Sequence, residues 1–181
     1  GRSHAPGGGQ EEGQDFVMGA NYRMAEMQAA LGRVALERFP DQVQERAEMI
    51  AYMDEALSEV PGVRILPHDP RQTTRSFYRY IFAIDPEVYG FNHDVVCYAL
   101  DGEGIPCWVG YEAMHHYDLF QPQLSKLPVP VTFPERFDFE NMDLPVAKQA
   151  CQEEAVWFDE AIFRAGQQGV DDAVATMLKI Y

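Results

Sequence analysis

Hydrophobic positions recur at helical spacing once the polar start of the chain is passed. Residues 1–15 contain five glycines and no apolar period, which predicts a loop. From Asn21 apolar side chains repeat at steps of three and four, which predicts an amphipathic helix. Pro40 predicts a break, and Asp41 can cap a second helix that ends at Pro61–Gly62. The apolar positions of the two helices are Met24, Met27, Leu31, Val34 and Ala35, then Val43, Ala47, Ile50, Met53, Leu57 and Val60.

The middle of the chain changes to β-like patterns. Val63–Leu66 is a short apolar run, and Ser76–Ile84 alternates with aromatic and β-branched residues, so both predict strands. Asn92 is positioned to cap a helix through Leu100, and Ile105–Val109 predicts a further buried strand. Residues 110–142 have no sustained period, and a stretch of that length usually carries function or wraps a neighbour.

Two helices are predicted at the end of the chain. Pro145–Ala165 follows a helical period that Gly166 ends, and Asp171–Ile180 forms a last short helix. The strands are too few for a doubly wound nucleotide-binding domain. The predicted fold class is therefore α+β, with a small antiparallel or mixed sheet covered by helices.

Composition narrows the classes of function. The chain has 181 residues, 46% apolar and 24% charged, as expected for a folded chain. Its 14 basic and 29 acidic residues give a net charge of −15, which argues against nucleic-acid and anionic-membrane binding. It has no apolar run of bilayer length, and residues 1–10 lack the apolar core of a signal peptide, so we expect a cytoplasmic protein.

The cysteines do not suggest a disulfide framework. Cys97, Cys107 and Cys151 are odd in number and form no Cys-x-x-Cys pair. This pattern favours reduced thiols, and we expect no structural metal.

A polar cluster, Gly19–Met24, stands at the predicted start of the first helix. Free N–H groups and partial positive charge at a helix start make Asn21 and Arg23 a candidate phosphate or carboxylate site. The alternative is that Asn21 only caps the helix and that Arg23 is a solvated charge.

A second candidate cluster is Tyr111–Tyr117, which contains His115 and His116. Two histidines and two tyrosines are able to bind metal, relay protons or line a substrate pocket. Adjacent side chains point in different directions and a third ligand at suitable spacing is missing, so pocket lining is favoured over metal ligation. The lysines are Lys126, Lys148 and Lys179, and none follows a strand in a Gly- or Ser-rich context, as a Schiff-base lysine would.

These motifs together resemble a known family. Gly19–Met24 followed by Glu26–Gly32 is similar to the DegT/StrS-type sugar aminotransferases, which are pyridoxal-phosphate enzymes of fold type I. The similarity continues in order along the chain at Leu36–Arg38, Gln44–Arg46, Ser76–Tyr80, Gly104–Pro106, His115, Leu144–Ala147 and Asp171–Val174. Trp157–Phe158 departs from the family, which commonly has Leu-Pro there.

The resemblance covers the second half of such an enzyme and implies a domain organisation. Residues 1–15 are then a loop left from the preceding large domain, residues 16–62 form long interdomain and dimer-interface helices, and residues 63–181 form the small domain. The Schiff-base lysine is expected upstream, in a longer protein. This chain alone is therefore predicted to contain no catalytic residue and to be inactive.

The resemblance also implies roles for single residues. Asn21 would reach the phosphate of pyridoxal 5'-phosphate in the partner subunit of a homodimer, while Tyr22, Arg23 and His115 would line the substrate site. Ile105–Tyr117 is most similar to the branch that acts on cyclitol ketones such as scyllo-inosose. The intact protein is thus expected to transfer an amino group from glutamine or glutamate to a ketosugar or ketocyclitol.

Two alternatives remain open from the sequence. A non-catalytic binding or assembly domain of the same fold would also lack the lysine-bearing half. A zinc-dependent hydrolase would depend on His115 and His116 alone.

Overall fold

A computed structural model of the chain describes residues 24–73, 75, 78–117, 128–138 and 141–181. These residues divide into two compact units, with the boundary between Gln42 and Val43. Within the described ranges the helices are α1 (Glu26–Ser58), α2 (Pro86–Tyr89), α3 (His93–Gly102), α4 (Pro128–Thr132), α5 (Pro145–Gln149), α6 (Glu160–Arg164) and α7 (Gly166–Ile180). The strands are β1 (Val63–Ile65), β2 (Tyr80–Ile84), β3 (Cys107–Trp108) and β4 (Ala155–Phe158). Short 3₁₀ helices occupy Met114–His116 and Pro134–Arg136, and a π-helical turn occupies Ala150–Glu154.

One antiparallel sheet organises the second unit. Its strand order is β1–β2–β4–β3, so β4 lies inside the sheet although it is last in the chain. Tyr80 pairs with Phe158, and Trp108 pairs with Trp157. The α+β class and the small antiparallel sheet predicted from the sequence are confirmed.

The core lies on one face of this sheet. Phe82 and Phe158 are fully buried there, with their rings edge to face at 4.9 Å. The helices that supply the other side contribute apolar residues at the spacing their sequence predicts. The helical members of this cluster are Ile50, Met53 and Leu57 of α1, Val96 and Leu100 of α3, Ile162 and Phe163 of α6, and Val170, Ala173 and Met177 of α7.

The predicted break at Pro40 is wrong, because α1 continues through it. Asp41 therefore lies within the helix and caps nothing. A proline inside a helix removes the hydrogen bond to the carbonyl four residues earlier, here that of Leu36. Both residues are exposed, so water can hydrate that carbonyl.

The predicted single helix over Pro145–Ala165 is also wrong. The segment is helical only at its ends, and Ala155–Phe158 between them forms β4. Val156 and Phe158 are fully buried, while Ala155 and Trp157 are only partly buried, which is the two-residue alternation of a strand. A short apolar run fits a buried helix and a buried strand equally well in sequence.

Smaller differences concern the element ends. β2 begins at Tyr80 instead of Ser76, and residues 76 and 77 lie outside the described residues. Asn92 is the residue before α3, but its amide donates to Asp94 and its side chain accepts no cap hydrogen bond. The last helix, α7, begins at Gly166, whose φ is +70°, and is therefore longer than the predicted Asp171–Ile180.

Candidate functional site

Three of the four predicted site residues lie outside the described residues. These are Asn21, Tyr22 and Arg23, and the structure begins with Met24 and Ala25 just before α1. Their assignment to cofactor and substrate stays a prediction.

His115 lies on a short loop that closes on itself. It is half-buried in the 3₁₀ helix Met114–His116, and Ala113 before it is buried. The backbone N–H of Glu112 donates to the Tyr117 hydroxyl at 3.2 Å, which ties the two ends of the loop together. The loop thus holds His115, which is half-buried, in a defined place.

Three aromatic rings pack together immediately before this loop, and we call Trp108, Tyr111 and Trp157 the aromatic triad. Their centroids lie 5.1 to 5.7 Å apart, and the ring planes meet at 72 to 88°. Edge-to-face packing of this kind is favoured by the ring quadrupoles. Trp108 and Trp157 stand opposite each other on β3 and β4, and they face away from Phe158, which points into the core.

Gly110 makes this packing possible. Its φ is +83°, and a Cβ added there would stand 2.4 Å from Cε2 of Trp157. Only glycine adopts that backbone conformation freely and leaves the space for the indole. The sequence reasoning missed Trp157 as a neighbour of Trp108 and Tyr111, because it assigned Trp157 to a helix.

Ion pairs hold the start of β2 against its neighbours. Asp54 of α1 accepts from the Tyr80 hydroxyl at 2.6 Å and from Arg75 at 2.5 Å, and Arg79 pairs with Asp159 at 2.5 Å. Burial, followed by the hydrogen bond to Asp54, raises the pKa of Tyr80 above its ordinary value. The Tyr80 hydroxyl therefore stays protonated near neutral pH and serves the fold as a hydrogen-bond donor.

Two further groups with potential chemistry are built into the core. His93 is 2% exposed, and its Nδ1 lies 2.8 Å from the carbonyl oxygen of Ala155, which ties α3 to β4. The Cys107 thiol donates to the carbonyl of Cys97 at 3.4 Å. Contact with Cys107 together with burial raises the pKa of the Cys97 thiol, so that thiol stays protonated.

An acidic groove of about 430 Å³ opens at the β1 edge of the sheet, opposite the edge formed by β3. Two of its carboxylates, those of Asp85 and Glu154, have local roles. Asp85 accepts the N–H of Glu87 as the cap of α2, and Glu154 pairs with Arg64 at 2.7 Å. Across the described residues, His, Cys, Asp and Glu do not form a group of three that could hold a metal ion.

Among the described helices, none is both long and apolar enough to cross a bilayer.

Comparison with known proteins gives a consistent set of relatives. The model of the DegT/DnrJ/EryC1/StrS aminotransferase family matches residues 2–158. A Micromonospora echinospora protein assigned as an L-glutamine:3-amino-2,3-dideoxy-scyllo-inosose aminotransferase is 30% identical over 168 residues, which cover 91% of this chain and 40% of that protein. A dTDP-4-dehydro-2,3,6-trideoxy-D-glucose 4-aminotransferase from Saccharopolyspora spinosa is 32% identical over 103 residues, which cover 57% of this chain and 26% of that protein. The chain thus spans about 40% of the first of these relatives.

Solved structures show the same fold at lower identity. The structure of 3-amino-5-hydroxybenzoic acid synthase superposes on 92% of this chain with a TM-score of 0.69 and 20% identity, and the match covers 42% of the synthase chain. The structure of the Helicobacter pylori aminotransferase PseC superposes on 93% of this chain with a TM-score of 0.67 and 22% identity, and the match covers 42% of the PseC chain. The α+β architecture is therefore that of part of the fold-type I aminotransferases.

Proposed function

Because the chain belongs to the DegT/DnrJ/EryC1/StrS aminotransferase family, we propose that it is part of a pyridoxal-phosphate-dependent transaminase. The reaction moves an amino group from glutamine or glutamate to a ketocyclitol or ketosugar. The observation that carries this proposal is the similarity, over 91% of the chain, to the Micromonospora echinospora protein assigned as an L-glutamine:3-amino-2,3-dideoxy-scyllo-inosose aminotransferase. Since the chain spans 40% of that relative, the activity is proposed for a protein that contains the remaining length as well.

The described lysines do not fit the covalent attachment of the cofactor. Lys179 Nζ donates to the Glu103 carboxylate at 2.6 Å, and Lys148 is exposed on α5. A Schiff-base lysine needs surroundings that lower its pKa, such as an apolar pocket or a neighbouring cation. We therefore propose that the lysine that binds the cofactor covalently lies elsewhere in the protein. When bound, pyridoxal phosphate supplies the electron sink for amino transfer.

In this proposal the chain shapes the acceptor side of the pocket and completes the cofactor site of a partner. His115, held by the closed loop, would hydrogen-bond a hydroxyl or carbonyl oxygen of the acceptor. By the family resemblance, Tyr22 and Arg23 would contact the acceptor, and Asn21 would donate to the cofactor phosphate across a homodimer interface. The cytoplasm supplies the amino-acid donor.

The first experiment is to sequence the coding DNA upstream of Gly1 and to express the uninterrupted reading frame with pyridoxal phosphate. Glutamine-dependent amination of a ketocyclitol, measured by mass spectrometry, is the expected result. If the frame holds a lysine-bearing large domain and no amination occurs with ketocyclitols or ketosugars, the non-catalytic binding or assembly domain replaces this proposal.

Two matched pairs of variants in that protein test the residue roles. Asn21→Ala raises the pyridoxal phosphate concentration needed for half-saturation about tenfold, as expected for a lost hydrogen bond to a charged group. Asn141→Ala, at an exposed asparagine that bonds Asp138, leaves it unchanged. Equal effects of the two substitutions would contradict the role of Asn21.

The second pair concerns His115. His115→Ala raises the KM for the acceptor about fivefold, the value expected for one hydrogen bond, while the absorbance of the bound cofactor stays as it is. His68→Ala, at an exposed histidine between β1 and β2, changes neither. A changed absorbance spectrum of the cofactor without a change in the KM for the acceptor would mean that His115 contacts the cofactor instead of the acceptor.

A further inference from the structure

Two cysteine thiols lie against each other where α3 meets β3. Cys97 belongs to α3, Cys107 is the first residue of β3, and both are free thiols. The Cys107 thiol donates to the carbonyl oxygen of Cys97 at 3.4 Å, and the two side chains also hydrogen-bond each other. A disulfide forms without backbone movement only between cysteines whose side chains already lie close together. These contacts place Cys97 and Cys107 in that relation.

A tight turn between the two elements brings the thiols together. The backbone N–H of Ile105 donates to the carbonyl of Leu100 at 2.9 Å, which closes the end of α3. Gly104 has a φ of +84°, and a glycine in this left-handed conformation reverses the chain after a helix. The chain therefore returns along α3, and Cys107 reaches Cys97 although it lies ten positions later.

The two thiols differ in exposure and in acidity. Cys107 is half-buried, whereas Cys97 is 8% exposed. The hydrogen bond from the Cys97 thiol lowers the pKa of the Cys107 thiol below its ordinary value, against the opposing effects of burial and of the Asp101 carboxylate. The same contact, followed by burial, raises the pKa of the Cys97 thiol. Because the thiolate is the reactive form, Cys107 reacts first and Cys97 is placed to react with it afterwards.

We propose that Cys97 and Cys107 form a site of reversible oxidation by hydroperoxides, at which the two thiols close to a disulfide. The contacts of the pair carry this inference, and it does not depend on the proposed function. The disulfide ties β3, a strand of two residues at the edge of the sheet, to the end of α3.

The chemistry has two steps. The Cys107 thiolate attacks the peroxide, so that a sulfur–oxygen bond forms, the oxygen–oxygen bond breaks and Cys107 becomes a sulfenic acid. The leaving oxygen takes a proton and departs as water or an alcohol. The Cys97 sulfur then attacks the Cys107 sulfur, which forms the disulfide, and the sulfenic oxygen leaves as water with the Cys97 proton. Two electrons pass from the thiols to the peroxide, and a dithiol reductant returns them.

The third cysteine provides an internal control. Cys151 lies in the π-helical turn, outside this pair, and is half-buried like Cys107. If exposure alone decided which thiol is oxidised, peroxide would affect Cys151 and Cys107 alike. A closed pair instead predicts that Cys97 and Cys107 are lost together while Cys151 remains a thiol.

Peptide mapping tests the pair in the protein expressed from the uninterrupted reading frame. After treatment with hydrogen peroxide, free thiols are blocked with iodoacetamide and the protein is digested without reductant. Trypsin releases both cysteines in residues 80–126, because no lysine or arginine occurs there before Lys126. We expect this peptide to lose two hydrogen atoms, and cleavage after Glu103 to leave two fragments joined by the disulfide.

Iodoacetamide labelling gives the extent of the reaction. We expect labelling of Cys97 and Cys107 to fall at least about fivefold with peroxide and to return with dithiothreitol, while labelling of Cys151 changes less than about twofold. Because the mapping uses the unsubstituted protein, it decides even if a substitution prevents folding.

Three substitutions test the order of the two steps. Cys97→Ala removes the second thiol, so we expect dimedone to trap at least about fivefold more sulfenic acid at Cys107 than in the unsubstituted protein. Cys107→Ala removes the first thiol, and Cys97 is then expected to stay reduced at the same dose. Cys151→Ala is the matched control and leaves the yield of the disulfide unchanged.

Four results would overturn the proposal. They are labelling of Cys97 and Cys107 that peroxide leaves unchanged, a disulfide from either thiol to Cys151, oxidation of Cys107 beyond the sulfenic acid while Cys97 stays reduced, and a loss of labelling that dithiothreitol does not restore. The outcome is independent of whether the protein aminates ketocyclitols or ketosugars, so the two proposals fail separately.

Discussion

Gly110 and Gly104 have nearly the same backbone conformation in different surroundings. Their φ angles are +83° and +84°, but a Cβ added at Gly110 meets Trp157 at 2.4 Å, whereas one added at Gly104 has nothing within 4 Å. A side chain at either position carries the left-handed backbone cost. Only at Gly110 does it also collide with a ring that cannot move without disturbing the triad.

We predict that Gly110→Ala lowers the free energy of unfolding by about 2–5 kcal/mol, the backbone cost plus overpacking. Gly104→Ala is expected to cost about 1–2 kcal/mol from the backbone alone. Urea unfolding followed by circular dichroism measures both. Equal losses would mean that the indole yields to the new methyl group.

Two buried tyrosines differ in what their hydroxyls contact. The Tyr80 hydroxyl donates to Asp54, whereas the Tyr89 hydroxyl is buried with no hydrogen-bond partner among the described residues. An unsatisfied buried hydroxyl costs free energy that its removal recovers. We predict that Tyr89→Phe leaves the free energy of unfolding unchanged or raises it by about 1 kcal/mol, while Tyr80→Phe lowers it by about 1–2 kcal/mol. Thermal unfolding of the two variants measures both changes in free energy. A large loss of stability for Tyr89→Phe would mean that the Tyr89 hydroxyl has a hydrogen-bond partner.

The same two tyrosines make stability fall in alkali. Burial raises the pKa of Tyr89 to about 12, above the ordinary value of 10.0, and that of Tyr80 is raised as well. The unfolded chain therefore loses these protons first, so the stabilisation is complete below pH 10 and is lost as the pH rises toward the folded-state values. We predict a loss of about 1.4 kcal/mol per pH unit for each such tyrosine above pH 10. Tyr89→Phe should reduce that slope in urea titrations, and an unchanged slope would contradict a raised Tyr89 pKa.

At the scale of elements, β4 decides how the second unit is assembled. It pairs with both β2 and β3, and two of its four side chains enter the core. The sequence placed Val146 and Phe158 on the apolar positions of one helix. In the structure Val146 is 81% exposed on α5 and Phe158 is fully buried in β4.

We predict that Phe158→Ala lowers the free energy of unfolding by about 3–5 kcal/mol. Val146→Ala, a truncation of an exposed side chain, is expected to change it by less than about 0.5 kcal/mol. Chemical denaturation compares the two. A similar cost for both would support the single helix that the sequence predicted and contradict β4.

At the scale of the whole molecule, the first unit presents apolar side chains on α1. Met27 is 78% exposed and Leu31 is 72% exposed, and their spacing places them on one face of the helix. Exposed apolar faces of this kind mark surfaces that are covered in an assembly. That residues 16–62 meet a large domain and a partner subunit stays a prediction.

We predict that the 181-residue chain associates in solution and that Leu31→Lys shifts it toward the monomer at equal concentration. Leu178→Lys, at a half-exposed leucine of α7, serves as the matched control and leaves association unchanged. Light scattering over a concentration series measures both. A monomer at high concentration would contradict the prediction.

The sequence by itself determined the α+β class, the helical faces of α1, α3 and α7, and the family, because helical periods and ordered motifs are local properties of the chain. It also predicted a candidate site at Tyr111–Tyr117, and that site stays a prediction. It did not locate β4 or the aromatic triad. The sequence of Ala155–Phe158 is compatible with a helix and with a strand. It forms a strand because it pairs with Tyr80–Ala83, more than 70 residues earlier in the chain. Trp157 joins Trp108 and Tyr111 for the same reason, since contacts between distant segments follow from tertiary packing and leave no period in the sequence.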